Sequence, residues 1–125
     1  MAVDRPRIEA NSAEILDAYN KKEWDRLLSH FAEDAVMYLP LPDGMKEVKG
    51  VQALREMYGQ TWENPEVKSS SVQLQGFSWC IDELACIWKQ VDVLTAGGVK
   101  ESQGLSLVES DGDGKVTSWR DFFGS

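Results

Sequence analysis

The sequence is poor in the residues that staple or metallate small proteins. It has two cysteines, one histidine and four prolines in 125 residues. Cys80 and Cys86 are too few for a disulfide framework and their spacing matches no paired-thiol metal motif, so both are expected to be buried small hydrophobes. The single histidine, His30, follows an apolar helix face, where a helix-end surface residue is expected rather than a catalytic one. Together these residues offer no zinc set. Basic charge is also in deficit: 13 Lys and Arg stand against 21 Asp and Glu, a net charge of −8 that repels phosphate backbones and anionic headgroups. No nucleic-acid or membrane partner is expected. No run approaches the ~18 apolar residues of a membrane span, and the N-terminus carries no apolar leader, so a soluble cytoplasmic protein is expected. There is no phosphate loop, dinucleotide fingerprint or nucleophile elbow. Asp111-Gly112-Asp113-Gly114 lacks the spacing of a calcium loop. No metal or organic cofactor is expected.

What is present is a core. Hydrophobic residues make up 42% of the chain, with five Trp, four Phe and three Tyr, too many for a disordered polymer. The length suits one domain over residues 1–125. Ile8, Ile15, Leu16 and Tyr19 recur at helical spacing, predicting a helix over roughly 6–19 with Asp4 and Pro6 at its start. Asn20 to Glu23 resembles a capping box, and Trp24, Leu27, Leu28 and Phe31 follow on one helical face. Val36 to Leu39 reads as a short strand closed by Pro40 and Pro42, with a surface loop turning at Asp43-Gly44. Val51, Leu54, Met57, Tyr58 and Trp62 form the apolar face of a third helix ending before Asn64-Pro65. From Val67 the period becomes alternating, and turn signals divide the rest into strands at roughly 67–77, 83–94, 99–109 and 115–123. This order predicts an α+β fold: a curved, mostly antiparallel sheet wrapped over about three N-terminal helices, a cone with a deep pocket.

In the strand at 83–94, alternation puts Leu84, Cys86, Trp88, Gln90, Asp92 and Leu94 on one face and Ala85, Ile87, Lys89, Val91 and Val93 on the other. Helices cover only one side of such a sheet. The second apolar face therefore predicts a homodimer contact through Ile87, Val91 and Val93.

Two acids interrupt apolar strands. Asp92 shares a face with Trp88 and Leu94, and Asp121 shares one with Trp119 and Phe123. A carboxylate buried in such surroundings must be paired, hydrogen-bonded or protonated, which makes each a candidate proton carrier. A structural aspartate bonded to backbone at a bulge is the alternative for Asp92, and a solvent-facing strand end for Asp121. Two carboxylates in one apolar pocket can divide the roles of donor and acceptor. Trp88, Trp119, Leu94 and Phe123 would line it. Arg120 points to the opposite face.

Phe31-Ala32-Glu33-Asp34, Pro40-Leu41-Pro42, Val91-Asp92-Val93-Leu94 and the run from Gly114 to Phe123 together resemble the limonene-1,2-epoxide hydrolase family. That family lies in the nuclear-transport-factor-two-like superfamily, beside the SnoaL-like cyclases and ketosteroid isomerases. The resemblance implies that Asp121 is the base that activates water and Asp92 the acid that protonates the epoxide oxygen. Gln90 stands where that family has a bridging Arg, and Tyr38 is the remaining water-holding helper. It implies cofactor-free epoxide opening, by hydrolysis or cyclisation, on a small apolar terpenoid or polyketide-like substrate. A SnoaL-like cyclase, an isomerase of the ketosteroid type and a non-catalytic module binding a hydrophobic ligand or a protein are the alternatives.

Overall fold

Helix α1 (Arg5–Lys21) begins at a cap the sequence supplies. The Asp4 carboxylate accepts the Arg7 backbone N–H at 3.2 Å, and Pro6 sits in the first turn, where its missing N–H is not needed. The helix runs past Asn20 and ends at Lys22, whose φ of 57° lets the Glu23 N–H return to the Ala18 carbonyl at 2.9 Å. Asn20 is thus no helix cap. Its side chain clamps the next layer: the amide donates to the Val72 carbonyl at 2.8 Å and accepts the Val72 N–H at 2.7 Å. Asn20→Ala leaves both backbone groups unpaired, and a loss of about 1–3 kcal/mol is expected by urea unfolding.

The computed structural model describes residues 3–41, 44–59 and 65–124. After α1 come α2 (Trp24–Leu28), β1 (Phe31–Leu41), β2 (Gly44–Lys49), α3 (Val51–Gly59), β3 (Val67–Cys80), β4 (Glu83–Leu94), β5 (Val99–Ser110) and β6 (Val116–Phe123). The six strands form one curved sheet in the order β2-β1-β6-β5-β4-β3. Every pairing is antiparallel except β1 with β6. The α+β expectation holds.

Three local expectations are corrected. Phe31 opens β1 instead of closing α2, because the short helix stops at Leu28. Pro40 does not end β1: strand pairing with β2 continues through Pro40↔Met45 to Leu41↔Gly44. The loop after it is strand β2, where Met45, Lys46 and Glu47 are exposed and only Val48 is buried. An edge strand of that kind carries no alternation to read. Trp62, Pro42 and Asp43 lie outside the described residues. Cys86 is buried as expected, but Cys80 is exposed at the end of β3.

Ile8, Leu27, Leu54, Leu84, Val108 and Val116 are nearly inaccessible and fill the space between helices and sheet. The outer sheet face leaves Ile87, Val93, Val99 and Phe122 between 37% and 59% exposed. No helix among the described residues is long and apolar enough to cross a membrane.

Candidate active site

Registered pairing sorts the inner face into rows. Asp121 pairs with Ser106 and Ser106 with Cys86; the next row holds Phe123, Gly104 and Trp88. Gln90 pairs with Ser102 and Val72, and Asp92 with Lys100 and Ser70. Asp92 thus lies six residues along β4 from Cys86. The sequence placed both carboxylates in one pocket with mutual repulsion. The structure gives each its own partners, and no described hydrogen bond links them.

Asp121 is half-buried. Its Oδ1 accepts from Ser106 Oγ at 2.5 Å and from Trp119 Nε1 at 2.7 Å, while Trp88 Nε1 donates to Ser106 Oγ at 2.9 Å. The two indoles and the hydroxyl form a directed chain that ends on one carboxylate oxygen. No described residue donates to Oδ2. Burial raises the Asp121 pKa above the ordinary carboxylate range, and the Ser106 and Trp119 bonds offset part of that rise. Trp88 and Trp119 are only 4% exposed. Phe123 meets Trp88 edge-on at 5.1 Å, and Phe31 lies 6.1 Å from Trp119.

Asp92 is half-buried as well. Ser70 Oγ donates to its Oδ1 at 2.6 Å, and Gln90 Nε2 donates to Oδ1 at 3.1 Å and to Oδ2 at 3.4 Å. Gln90 therefore holds Asp92 and has no described contact with Asp121. Leu94 is half-buried beyond Asp92 on the same strand.

Tyr38 is not brought into this set. The parallel register pairs it with Arg120, whose guanidinium carbon lies 4.9 Å from the Tyr38 ring centroid. Paired residues share a face and Arg120 neighbours Asp121 in sequence, so alternation puts Tyr38 on the outer side. His30 Nε2 lies 3.3 Å from Glu14 on the helical surface. Among the described residues no group of three or more His, Cys, Asp or Glu is arranged to hold a metal ion. Burial pushes the Cys86 thiol up to about 12, so it is no thiolate nucleophile.

Sequence reasoning missed Ser106, Tyr19 and Tyr58. Ser106 was legible in principle: alternation from Gly104 to Val108 puts a lone hydroxyl on the inner face. Tyr19 and Tyr58 read as apolar helix positions, yet both have shifted pKa values. Burial followed by the charges of Asp121 and Asp92 raises the Tyr19 pKa, and burial with Asp121 raises that of Tyr58 far above the usual 10. Tyr58 donates only to Met37 Sδ, at 3.4 Å, a weak acceptor. Trp24 joins the two phenols, 6.1 Å from Tyr19 and stacked 4.9 Å from Tyr58. Another depression, lined by Lys22, Glu23, Trp24, Asp25, Arg26 and Arg55, holds neither carboxylate. Its arginines are engaged in ion pairs with neighbouring acids.

The model of the SnoaL-like domain matches residues 13–119. The chain belongs to the SnoaL-like family. No curated protein matches the sequence. Solved structures place this SnoaL-like chain in the NTF2-like, cystatin-like fold. An NTF2-like protein of unknown function from Exiguobacterium sp. 255-15 superposes with a TM-score of 0.72 at 17% identity, covering 92% of this chain and 98% of that one. A Mycobacterium tuberculosis protein in complex with estradiol-17beta-hemisuccinate gives 0.70 at 18% identity, covering 94% of each chain. TerC crystallised with polyporic acid gives 0.75 at 13% identity, covering 94% of this chain and 92% of that one. At such identities the likeness is one of fold. For the SnoaL-like chain itself, the chemistry must be argued from Asp121 and its surroundings.

Proposed function

We propose that this SnoaL-like protein is a cofactor-independent acid/base enzyme that moves a proton on a small apolar substrate, with Asp121 as proton carrier. One observation carries the reading: a carboxylate among Trp88, Trp119 and Phe31 receives both its described donors on Oδ1, which leaves Oδ2 to the pocket. The reaction that suits a single such group is isomerisation or cyclisation of a carbonyl compound. Asp121 takes a proton from a carbon beside the carbonyl and the electron pair of that C–H bond moves toward the carbonyl oxygen. In isomerisation the proton returns at another carbon. In cyclisation the carbanion attacks a second carbonyl carbon of the same molecule, whose C=O pair moves onto its oxygen and takes the proton from Asp121. Raised basicity brings the carboxylate nearer the pKa that proton abstraction at carbon needs. The two fold neighbours with bound hydrophobic ligands support an apolar substrate.

Epoxide opening is the second reading, favoured by Ser70 and Gln90 holding Asp92 in a fixed place on the same inner face. Asp121 would deprotonate water as its oxygen attacks an epoxide carbon, and Asp92 would protonate the oxygen as the C–O bond breaks. This reading requires both carboxyls to reach the same three-membered ring, Asp121 through a water. Assay of enones, polyketide-like ketones and terpene-like epoxides separates the readings. Isomerisation requires that Asp121→Asn remove activity while Asp92→Asn retains most of it. Epoxide opening requires both losses. A panel with no turned-over compound supports the binding-module alternative and overturns both.

The reading includes a homodimer through the outer face around Ile87, Val91 and Val93. The occupant is a second copy because a two-fold axis through this face sets the exposed Ile87 and Val93 of one chain against the same side chains of the other. Val91→Lys should convert a dimer of about twice 14.0 kDa into monomer in sedimentation. A wild-type monomer at micromolar concentration contradicts it.

A further inference from the structure

Among the described residues Trp88 connects to Asp121 through Ser106, and the chemistry of the donor fixes the direction of that link. An indole N–H gives a hydrogen bond and has no lone pair to take one. Trp88 Nε1 donates to Ser106 Oγ at 2.9 Å, and the hydroxyl passes its own proton on to Asp121 Oδ1 at 2.5 Å. Ser106 is 1% exposed, so bulk water offers it no other partner. Trp119, also an indole, fills a second site on Oδ1 at 2.7 Å. A proton placed on Oδ1 would meet two donors and no acceptor. The Trp88 ring is itself held: a Cβ on Gly104 would sit 2.3 Å from it, and it meets the Phe123 ring at an interplanar angle of 78°.

We infer that Trp88 is a positioning residue of the proposed enzyme: through Ser106 it keeps Oδ1 of Asp121 an acceptor, so that Asp121 takes up and releases its proton at Oδ2. The inference rests on Asp121 being the proton carrier. Without the indole, Ser106 is free to turn its hydroxyl and accept from a protonated Oδ1, which puts the proton on the oxygen the proposed reaction does not use. The sign of the effect separates this role from packing. A hole left by a truncated Trp88 admits water and relieves the burial of Asp121, which lowers its midpoint. A freed Ser106 stabilises the neutral acid, which raises it.

The test is an NMR titration of the folded protein with no ligand added. The charge of Asp121 also acts on Tyr19, Tyr58 and Cys86, but all three have raised pKa values and keep their protons throughout the acidic range. Asp92 and Glu9 are the carboxyls that share in these effects, and any movement due to them survives in Asp121→Asn. In the wild type the Trp88 and Trp119 indole N–H resonances should both move with the Asp121 midpoint, and in Asp121→Asn neither should. Ser106→Ala should remove most of the Trp88 movement, keep that of Trp119, and set the Asp121 midpoint about one pH unit higher, the loss of one charge-assisted bond. Trp88→Phe should raise the midpoint in the native background and not when Ser106 is already alanine. Ser106→Ala keeps the indole, so the test stands even where Trp88→Phe does not fold. A Trp88 resonance blind to Asp121, a Trp88 movement that survives Ser106→Ala, a midpoint unmoved or lowered by Trp88→Phe, or an equal rise in both backgrounds overturns the inference. Titration and turnover fail separately. A coupled Trp88 with no turned-over compound sinks the enzyme reading alone, and Asp121-dependent turnover with an uncoupled Trp88 sinks this inference alone.

Discussion

Asp121→Asn should lower turnover by roughly 10²–10⁴-fold and raise the melting temperature at neutral pH. Asn keeps the oxygen that accepts from Ser106 and Trp119 and loses only the site that takes a proton, so the donor chain from Trp88 survives the change. The stability effect follows from the sign of the pKa shift. Burial raises the folded Asp121 pKa above its unfolded value, so the folded chain holds this proton more tightly than the unfolded chain does. The group's favourable contribution is complete below the unfolded pKa of about 3.9 and is lost as pH rises through the folded value. Above that window the wild type keeps a charge in a desolvated place, and Asn does not. A melting curve at pH 7 should therefore favour Asn by a few degrees, whereas below the ordinary carboxylate pKa the two proteins should melt together. The kcat profile should share the cause: its acidic limb should lie above the usual Asp range.

Gly104→Ala should cost about 1–3 kcal/mol by denaturant unfolding, the penalty of overpacking where nothing can yield, and should lower activity as well. A Cβ at this position would sit 2.3 Å from the edge of the Trp88 ring and 2.6 Å from the Phe122 carbonyl oxygen. The carbonyl belongs to β6 and cannot move without the strand. The indole is held at one end by its bond to Ser106 and packed against the edge of Phe123. Displacing Trp88 releases Ser106, and Ser106 is one of two donors to Asp121. The defect is thus expected to reach the site, with weaker ligand binding and an altered acidic limb in addition to lost stability. A variant as stable and active as the wild type would show that the Trp88 contact is not a constraint.

The sheet was legible where alternation was strong. From Val67 onward each strand pairs one apolar face with a less apolar one, and turn residues such as Gly97, Gly98 and Asp111 fall between strands. Asp111 Oδ1 accepts the backbone N–H groups of Asp113 and Lys115, the local bond that makes this hairpin readable. The polar edge β2 was not legible, because its residues serve strand pairing and not burial. Asp121 and Asp92 stood out as acids in apolar strands. The partners of each did not, since the face a residue occupies follows from period two but its row depends on how β3, β4, β5 and β6 register with one another. Tyr38 shows the same limit: its parallel pairing with Arg120 is a property of two distant segments. Tyr19 looked like core because helix periodicity does not show how much of a side chain at the last turn stays exposed, here 39%.

Titration of the Asp121 carboxyl carbon by NMR, assigned by its absence in Asp121→Asn, tests the central claim most directly. The account predicts a midpoint above the ordinary Asp value of about 3.9, as burial requires when two donors only partly offset it. A midpoint at or below that value would mean that Ser106 and Trp119 hold a permanently ionised structural carboxylate, and the assignment of Asp121 as proton carrier would be wrong.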